Sequence, residues 1–333
     1  CFMNLSLIDA ENLAAKALEA SGVQARAAQI TARSLVRADA DGMASHGLSR
    51  VPQYAGHVRV GRVNAQAEPC VVASRPAAAV VDAQEGFAFP AMQLAVAEAA
   101  ARAKTQGVSF IAVANSHHFG VAGHFAEDLA RQGLIGLVVG NSPAAMPMWG
   151  GRRAVFGTNP IAAAFPRVKA DPVLIDLSLS AVARGKLMVA AQKGESIPEG
   201  WALNSKGEPT TDPKEGLTGM MVPAGGAKGA MLAFMVEALC VAVSNSAYGF
   251  EADSFFELEG NRPRIAQALL AIDIGLRSQE GYFQRMEDLI TYISQDPEVR
   301  LPGERRFGLR RQAERNGISI SDDLYKQLKE LAQ

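Results

Sequence analysis

Between positions 7 and 18 apolar side chains return every three or four residues (Leu7, Leu13, Ala14, Leu18), with Ser6 before them and Ser21-Gly22 after. This spacing predicts a capped amphipathic helix. A second run of the same kind covers 25–36 and leads into Asp39-Ala40-Asp41-Gly42. Beyond Tyr54 the period shortens: Cys70-Val71-Val72 and Ala79-Val80-Val81 are brief and β-branched, as strands are. From there helices and strands alternate. Residues 90–104 read as an alanine-rich helix stopped by Gly107, and 108–113 as an apolar strand running out into Asn115-Ser116-His117-His118. A helix over 122–131 and a strand over 134–139 follow, the latter closed by Gly140-Asn141-Ser142. Further strands are expected at 161–165, 173–175 and 267–272, and a strong helix at 228–243. Residues 194–225 have little periodicity and much Gly, Pro, Thr and Asp, which predicts a long connection of the kind that often carries function. From Tyr282 onward the pattern is helical, interrupted by the basic stretch 300–306. Wholly apolar strands set between helices predict an α/β core covered on both faces, and the helical segments at the two ends are expected to pack together.

Composition changes this picture little. The chain has 333 residues, 48% hydrophobic and 20% charged, with a net charge of −1, so nothing points to nucleic acid or an anionic membrane surface. Cys1, Cys70 and Cys240 are too sparse for a disulfide framework, and a reducing, cytoplasmic setting is expected. The opening Cys1-Phe2-Met3-Asn4 reads as a short addition ahead of Met3, without the basic and apolar regions of a signal peptide. The most apolar helix, 231–243, is interrupted by Glu237 and falls short of the roughly 20 residues that a bilayer span needs.

Several chemistries are excluded by motif. Among the 31 glycines no two are separated by a single residue, so a GxGxxG dinucleotide loop cannot be present. A P-loop, HExxH and GxSxG are missing as well. His117 and His118 are adjacent, and neighbouring side chains on a strand face opposite ways, so no metal is expected.

Six segments can carry chemistry. In Ala44-Ser45-His46-Gly47-Leu48-Ser49-Arg50 an imidazole suited to acid–base work lies four positions from a guanidinium suited to a carboxylate, and Ser45 can orient either. Composition by itself favours a plain helix end with a solvated histidine. Residues 115–124 open a helix after a buried strand, where a phosphate or an ordinary serine cap fits equally. Arg152-Arg153 and Gly157-Thr158-Asn159-Pro160 suit an anion or a solvated turn. Asp176-Leu177-Ser178 at a strand end, followed by Arg184-Gly185-Lys186, suits cofactor hydroxyls or a helix cap. Gly225-Gly226-Ala227-Lys228 opens a helix and suits an anion. Residues 300–306 put three arginines around a turn, commonly a solvated face and more specifically an adenosine-phosphate site.

Taken in order, ADGMASHGLSR, NSHHFGVAGH, FGTNPIAAAFPR, IDLSLSAVARGK, IPEGWALNSKGEPTTDP, VPAGGAKG and RLPGERR resemble the type-2 malate/L-lactate dehydrogenase family over residues 37–306. The resemblance implies a homodimer with a non-Rossmann NAD(P)-binding fold, in keeping with the missing GxG. It implies His46 as proton donor with Ser45 beside it, and Arg50 on the substrate carboxylate with Thr158 and Asn159 in the substrate pocket. Cofactor contacts are implied for His118, Phe119, Gly120, Val121 and Ala122, for Asp176, Leu177 and Ser178, and for Lys228. The run Arg300, Leu301, Pro302, Gly303, Glu304, Arg305 and Arg306 is implied to join them. The expected fold is α/β (α+β by some schemes): a mixed-sheet NAD(P)-binding domain over 76–284, flanked by a helical domain from 1–75 and 285–333. The implied cofactor is NAD(H) or NADP(H), and the substrate a small 2-hydroxy or 2-oxo acid. Reduction of a cyclic 2-imino acid is the alternative, although Lys186 stands where such reductases carry an acid. A non-catalytic binding protein is a third reading.

Overall fold

The computed structural model describes residues 2–333. Strand β1 (Phe2–Leu5) leads into α1 (Leu7–Ala20), whose cap is the expected Ser6: its side chain accepts from the Asp9 N–H. Helix α2 (Ala25–Ala40) is followed by two single 3-10 turns, Ala44–His46 and Leu48–Arg50, and then by α3 (Val51–Arg59). The central region comprises β2 (Cys70–Arg75), β3 (Ala78–Asp82), α4 (Ala88–Gln106), β4 (Val108–Ser116), α5 (Ala122–Ala130) and β5 (Leu134–Gly140). It continues through the short β6 (Met146–Pro147) and β7 (Ala154–Phe156) to β8 (Ile161–Phe165), β9 (Val173–Leu177) and α6 (Arg184–Lys193). After these come β10 (Ala202–Leu203), β11 (Pro209–Thr210), α7 (Pro213–Thr218), β12 (Met220–Met221) and α8 (Ala227–Glu237), which widens into a π turn at Ala238–Ala242. The last elements are β13 (Ile265–Asp273), α9 (Gln279–Ile293), α10 (Glu304–Asn316), β14 (Ile318–Ser321) and α11 (Asp322–Leu331).

A mixed seven-stranded sheet in the order β2-β3-β4-β13-β5-β8-β9 forms the centre, and within it only the β3–β4 pair is parallel. β13 arrives late in the chain yet takes the middle, where Leu269 pairs with both Ile111 and Val138. The strand alternation then sorts the core. Ile111, Val113 and Leu269 join α4 and α5 in one cluster, while Ala266 and Ala268 pack with α8, Met146 and Phe156 in another. Both faces are therefore covered, as the apolar strands predict. The buried side of α4 is largely alanine, which lets its backbone lie close to the sheet.

Two expectations change and a third holds. Phe2–Leu5 pair antiparallel with β14, so these opening residues belong to the fold; Cys1 lies outside the described residues. The supposed irregular stretch 194–225 contains the three-stranded sheet β11-β10-β12 and helix α7, elements too short to show a period. The basic run 300–306 does interrupt the helical end: residues 300–303 lie in the connection between α9 and α10, and α10 begins at Glu304. No helix among the described residues is long and apolar enough to cross a membrane.

Candidate functional site

The loop carrying His46 is folded back on α2 by one carboxylate. Asp39 accepts the Leu48 N–H at 2.7 Å, and a Cβ on Gly47 would stand 2.2 Å from the Asp39 carboxyl carbon, so only glycine admits the contact. Half-buried His46 has its Nδ1 3.0 Å from the Ser45 hydroxyl, which leaves Nε2 to meet a ligand. Arg50 donates from Nε to the Ser45 carbonyl at 2.7 Å and from Nη1 to Gln53 Oε1 at 2.9 Å. Its remaining N–H groups have no partner among the described residues, the disposition of an anion clamp already held in place.

The end of β4 faces this loop. The His118 ring centre lies 5.5 Å from that of His46, and its Nδ1 is 2.6 Å from the hydroxyl of the fully buried Tyr54. His117 turns the other way, with its Nε2 3.2 Å from His57 Nδ1. Phe255 closes the far side, 5.0 and 5.4 Å from the two histidine rings. It belongs to a loop tied down by Arg62, 1% exposed, which donates to the carbonyls of Asp253, Ser254 and Glu257 among others. Tyr54, Arg62, Phe255 and Phe256 were not singled out from the sequence. A buried arginine and aromatic residues some 200 positions away carry no local pattern, so no short-range signal marks them.

A third edge is built from β9, α5 and α10. Asp176 Oδ2 meets Arg306 Nη2 at 3.0 Å, and Gly123 in the first turn of α5 is pressed against both: a Cβ there would lie 2.6 Å from Arg306 Nη1 and 2.7 Å from Asp176 Oδ2. That Nη1 is buried without a hydrogen-bond partner. A buried guanidinium donor left over beside a side-chain-free helix start fits a phosphate or ribose oxygen, so the residues present suit a dinucleotide.

The other expected contacts divide. Phe119, Val121 and Ala122 are buried, so this stretch can offer a ligand its main chain, aided by Gly120 at φ 69°. Leu177 and Ser178 are exposed, with Ser178 Oγ 2.7 Å from Ser180 Oγ. Lys228 is exposed in the first turn of α8, beyond two glycines of positive φ. In the 300–306 run, Leu301 is buried and its N–H is capped by Glu304, the Pro302 carbonyl accepts from Leu174, and Gly303 packs on Leu174. Arg300 and Arg305 are exposed and have no ion pair among the described residues, whereas Arg306 faces the site. Thr158 is half-buried and its carbonyl accepts from Leu179. Asn159 is fully buried: its amide nitrogen donates to Glu237 at 2.7 Å and to the Ala233 carbonyl at 3.0 Å, while its Oδ1 is buried with no partner among the described residues.

Electrostatics follow from burial and an excess of cations. Burial first, then the charges of Arg50 and Arg306, lower the His46 pKa to about 4. His118 is pushed well down by burial and by Arg50. Burial raises Asp176 against the pull of Arg306. The pocket thus holds a neutral imidazole beside Arg50, a guanidinium without a carboxylate partner among the described residues, and can receive an anion and exchange one proton. No group of three or more His, Cys, Asp or Glu side chains among the described residues could hold a metal ion.

Comparisons with known proteins agree with this reading. The chain is 50% identical over 308 residues to the (2R)-3-sulfolactate dehydrogenase (NADP(+)) of Chromohalobacter salexigens, covering 92% of each chain. Among solved structures it matches Δ1-piperideine-2-carboxylate reductase from Pseudomonas syringae pvar. tomato, with a TM-score of 0.93, 33% identity and 99% coverage of both chains. It also matches the sulfolactate dehydrogenase of Methanocaldococcus jannaschii, with a TM-score of 0.90 and 33% identity over 99% of this chain and 96% of that one. With the sequence pattern of that family matching residues 5–329, the chain belongs to the Malate/L-lactate dehydrogenase family.

Proposed function

We propose that the chain is an NAD(P)-dependent oxidoreductase that interconverts a small 2-hydroxy acid and its 2-oxo acid. The observation that carries this is the pairing of an oriented, neutral imidazole with a preset, unpaired guanidinium: His46 on Ser45, and Arg50 on Ser45 and Gln53. Arg50 receives the substrate carboxylate through its free N–H groups. His46 Nε2 takes the hydroxyl proton in oxidation and returns it to the carbonyl oxygen in reduction, with Nδ1 held by Ser45. A substrate carboxylate on Arg50 offsets the nearby positive charge and raises the His46 pKa from about 4, so the proton is held only when substrate is bound. The bound nicotinamide supplies the hydride acceptor or donor. The main chain of 118–122, Asp176 with Leu177 and Ser178, Lys228 and Arg306 hold it. Exposed Arg300 and Arg305 suit a 2′-phosphate and favour NADP(H).

The nucleotide-binding fold is unlike Rossmann's, a reading supported by the single parallel strand pair and the missing GxG. Residues 76–284 form that domain, with 1–75 and 285–333 joined beside it, a division supported by the β1–β14 pair and the packing of α1 on α11. A second copy of the chain covers the apolar face of α8, where Met231, Leu232, Phe234 and Met235 are exposed. The setting is cytoplasmic, a reading that rests on the sparse cysteines.

The test is loss of the reduced-nicotinamide absorbance band with NADH and NADPH separately, against pyruvate, oxaloacetate, sulfopyruvate and the two cyclic 2-imino acids. Oxidation with a linear 2-oxo acid is expected. A response to cyclic imines alone would replace the substrate class, and silence across the panel would remove the proposed reaction.

A further inference from the structure

The guanidinium of buried Arg62 donates to five main-chain carbonyls of a single loop, 253–261. Nε reaches Asn261 at 3.0 Å and Nη2 reaches Asp253 at 3.3 Å. Nη1 lies 2.6 Å from the Glu257 oxygen, 3.1 Å from that of Ser254 and 3.4 Å from that of Glu259. Carbonyl oxygens that converge in this way repel one another, so the loop keeps its shape only around a cation that answers them. His57 on α3 adds a second tie, donating from Nε2 to the Glu257 carbonyl at 2.9 Å. The outward side of the loop reaches the substrate clamp. The Phe255 carbonyl accepts from Gln53 Nε2, and Gln53 Oε1 in turn accepts from Arg50 Nη1 at 2.9 Å. The Phe256 ring centre lies 5.1 Å from Arg50 Cζ. Apart from the Ser45 carbonyl, the supports that orient Arg50 therefore come from this loop and from the glutamine bonded to it.

We propose that Arg62 is a positioning residue for the substrate clamp. It fills the carbonyl cage and so sets the 253–261 loop; the loop, through the Phe255 carbonyl, Gln53 and the Phe256 ring, sets the Arg50 guanidinium. The inference rests on the placement of the substrate carboxylate on Arg50 under the proposed function. Arg62 itself touches no substrate. Its planar fork suits the cage because its N–H groups point several ways at once, whereas a lysine ammonium offers three donors from one point and answers only part of it. A small neutral side chain leaves the carbonyls buried and unsatisfied, and the loop opens to find water. Arg50 then loses its hold through Gln53, and each arriving substrate must order it again at an entropic cost.

The test compares the wild-type protein, R62A and R62K by kcat and KM for pyruvate and sulfopyruvate, by NADPH affinity from tryptophan quenching, and by urea unfolding. In R62A the KM of both acids is expected to rise roughly 10–100-fold, with a smaller fall in kcat and unchanged NADPH affinity. R62K recovers part of the loss. Guanidinium chloride, far below denaturing concentrations, lowers KM in R62A by re-entering the cage and leaves the wild type as it was. The route through Arg50 is read from a double-mutant cycle: R62K is expected to add little to R50K, and losses that simply multiply overturn it. A KM that R62A leaves in place overturns the inference, as does a loss of NADPH affinity in step with KM. If R62A fails to fold, R62K and the cycle decide. Failure of every 2-oxo acid to oxidise the reduced cofactor would sink the proposed function separately. Calorimetric titration with propanoate then decides the inference: binding to the wild type that weakens in R62K supports it, and equal or absent binding overturns it.

Discussion

The pocket around His46 and the cluster around Glu127 are built from the same residue types, and they differ in one respect: in the cluster every charge has an opposite. Arg310 forks onto Asp41 at 2.7 and 2.8 Å and onto Glu127 at 2.7 and 2.9 Å. Arg37 and Arg131 complete the Glu127 carboxylate at 2.8 and 2.7 Å, and His124 stands 2.9 Å from Asp41. These groups join α2, α5 and α10, three elements far apart in the chain. In the pocket, by contrast, Arg50 has no carboxylate partner and one N–H-bearing nitrogen of Arg306 is left over, and the imidazole is driven neutral. A matched set of buried charges holds helices together, and an unmatched set keeps free-energy gain in reserve for a ligand.

The sharpest way to break this comparison is to remove one member from each side. His46→Ala is expected to lower turnover by roughly 10²–10⁴-fold with little loss of cofactor affinity, read from steady-state rates and tryptophan quenching. Undiminished turnover would take His46 out of the reaction. Arg310→Met acts on the matched side. It leaves Asp41 and Glu127 buried without their main partner, at a cost of about 3–5 kcal/mol in the urea unfolding free energy. If stability holds while kcat/KM collapses, the cluster belongs to the active site after all.

Acid sharpens the contrast. His124 has a folded pKa of about 4, below its ordinary 6.5, because burial and nearby arginines outweigh Asp41. A depressed folded value means that stability is fully present above pH 6.5 and is lost as pH falls toward 4. The lowered carboxylate of Glu127 works in the same direction further down. The urea midpoint should therefore be level near neutrality and decline below pH 6.5, with a shallower decline in His124→Asn. An identical decline in that variant would put the loss elsewhere.

Asp39 gives the smallest effect and the opposite sign. Burial raises its pKa from 3.8 to about 6 despite the Leu48 N–H, so the stability of its protonated form is lost as pH rises through 6. Asp39→Asn keeps an acceptor for Leu48 and removes the charge. Its urea midpoint should exceed wild type at pH 8 and match it near pH 3.5, and a gain at both would show that charge is not the cause.

The His46 segment was legible because its chemistry is local: seven consecutive residues bring Ser45, His46 and Arg50 together through short turns. The main strands and helices were legible for the same reason, since each shows its period within ten or so positions. The Asn159 environment could not be read from the sequence, because its partner Glu237 lies on α8 and no spacing near Asn159 reveals that contact. Arg62 and Phe256 escaped notice since the contacts that define them span about 200 residues. The stretch 194–225 looked irregular because strands of two residues have no period to detect.

By itself the sequence determined where the main helices and strands lie, that no GxGxxG loop is available, and that an imidazole and a guanidinium sit four residues apart. Those properties are set by neighbours along the chain. Tertiary structure decided that β13 fills the middle of the sheet, that Arg306 reaches Asp176, and which arginines have counter-charges and which do not. Whether a charge is neutralised depends on what lies within a few ångströms in space, and folding sets that distance without regard to separation in sequence.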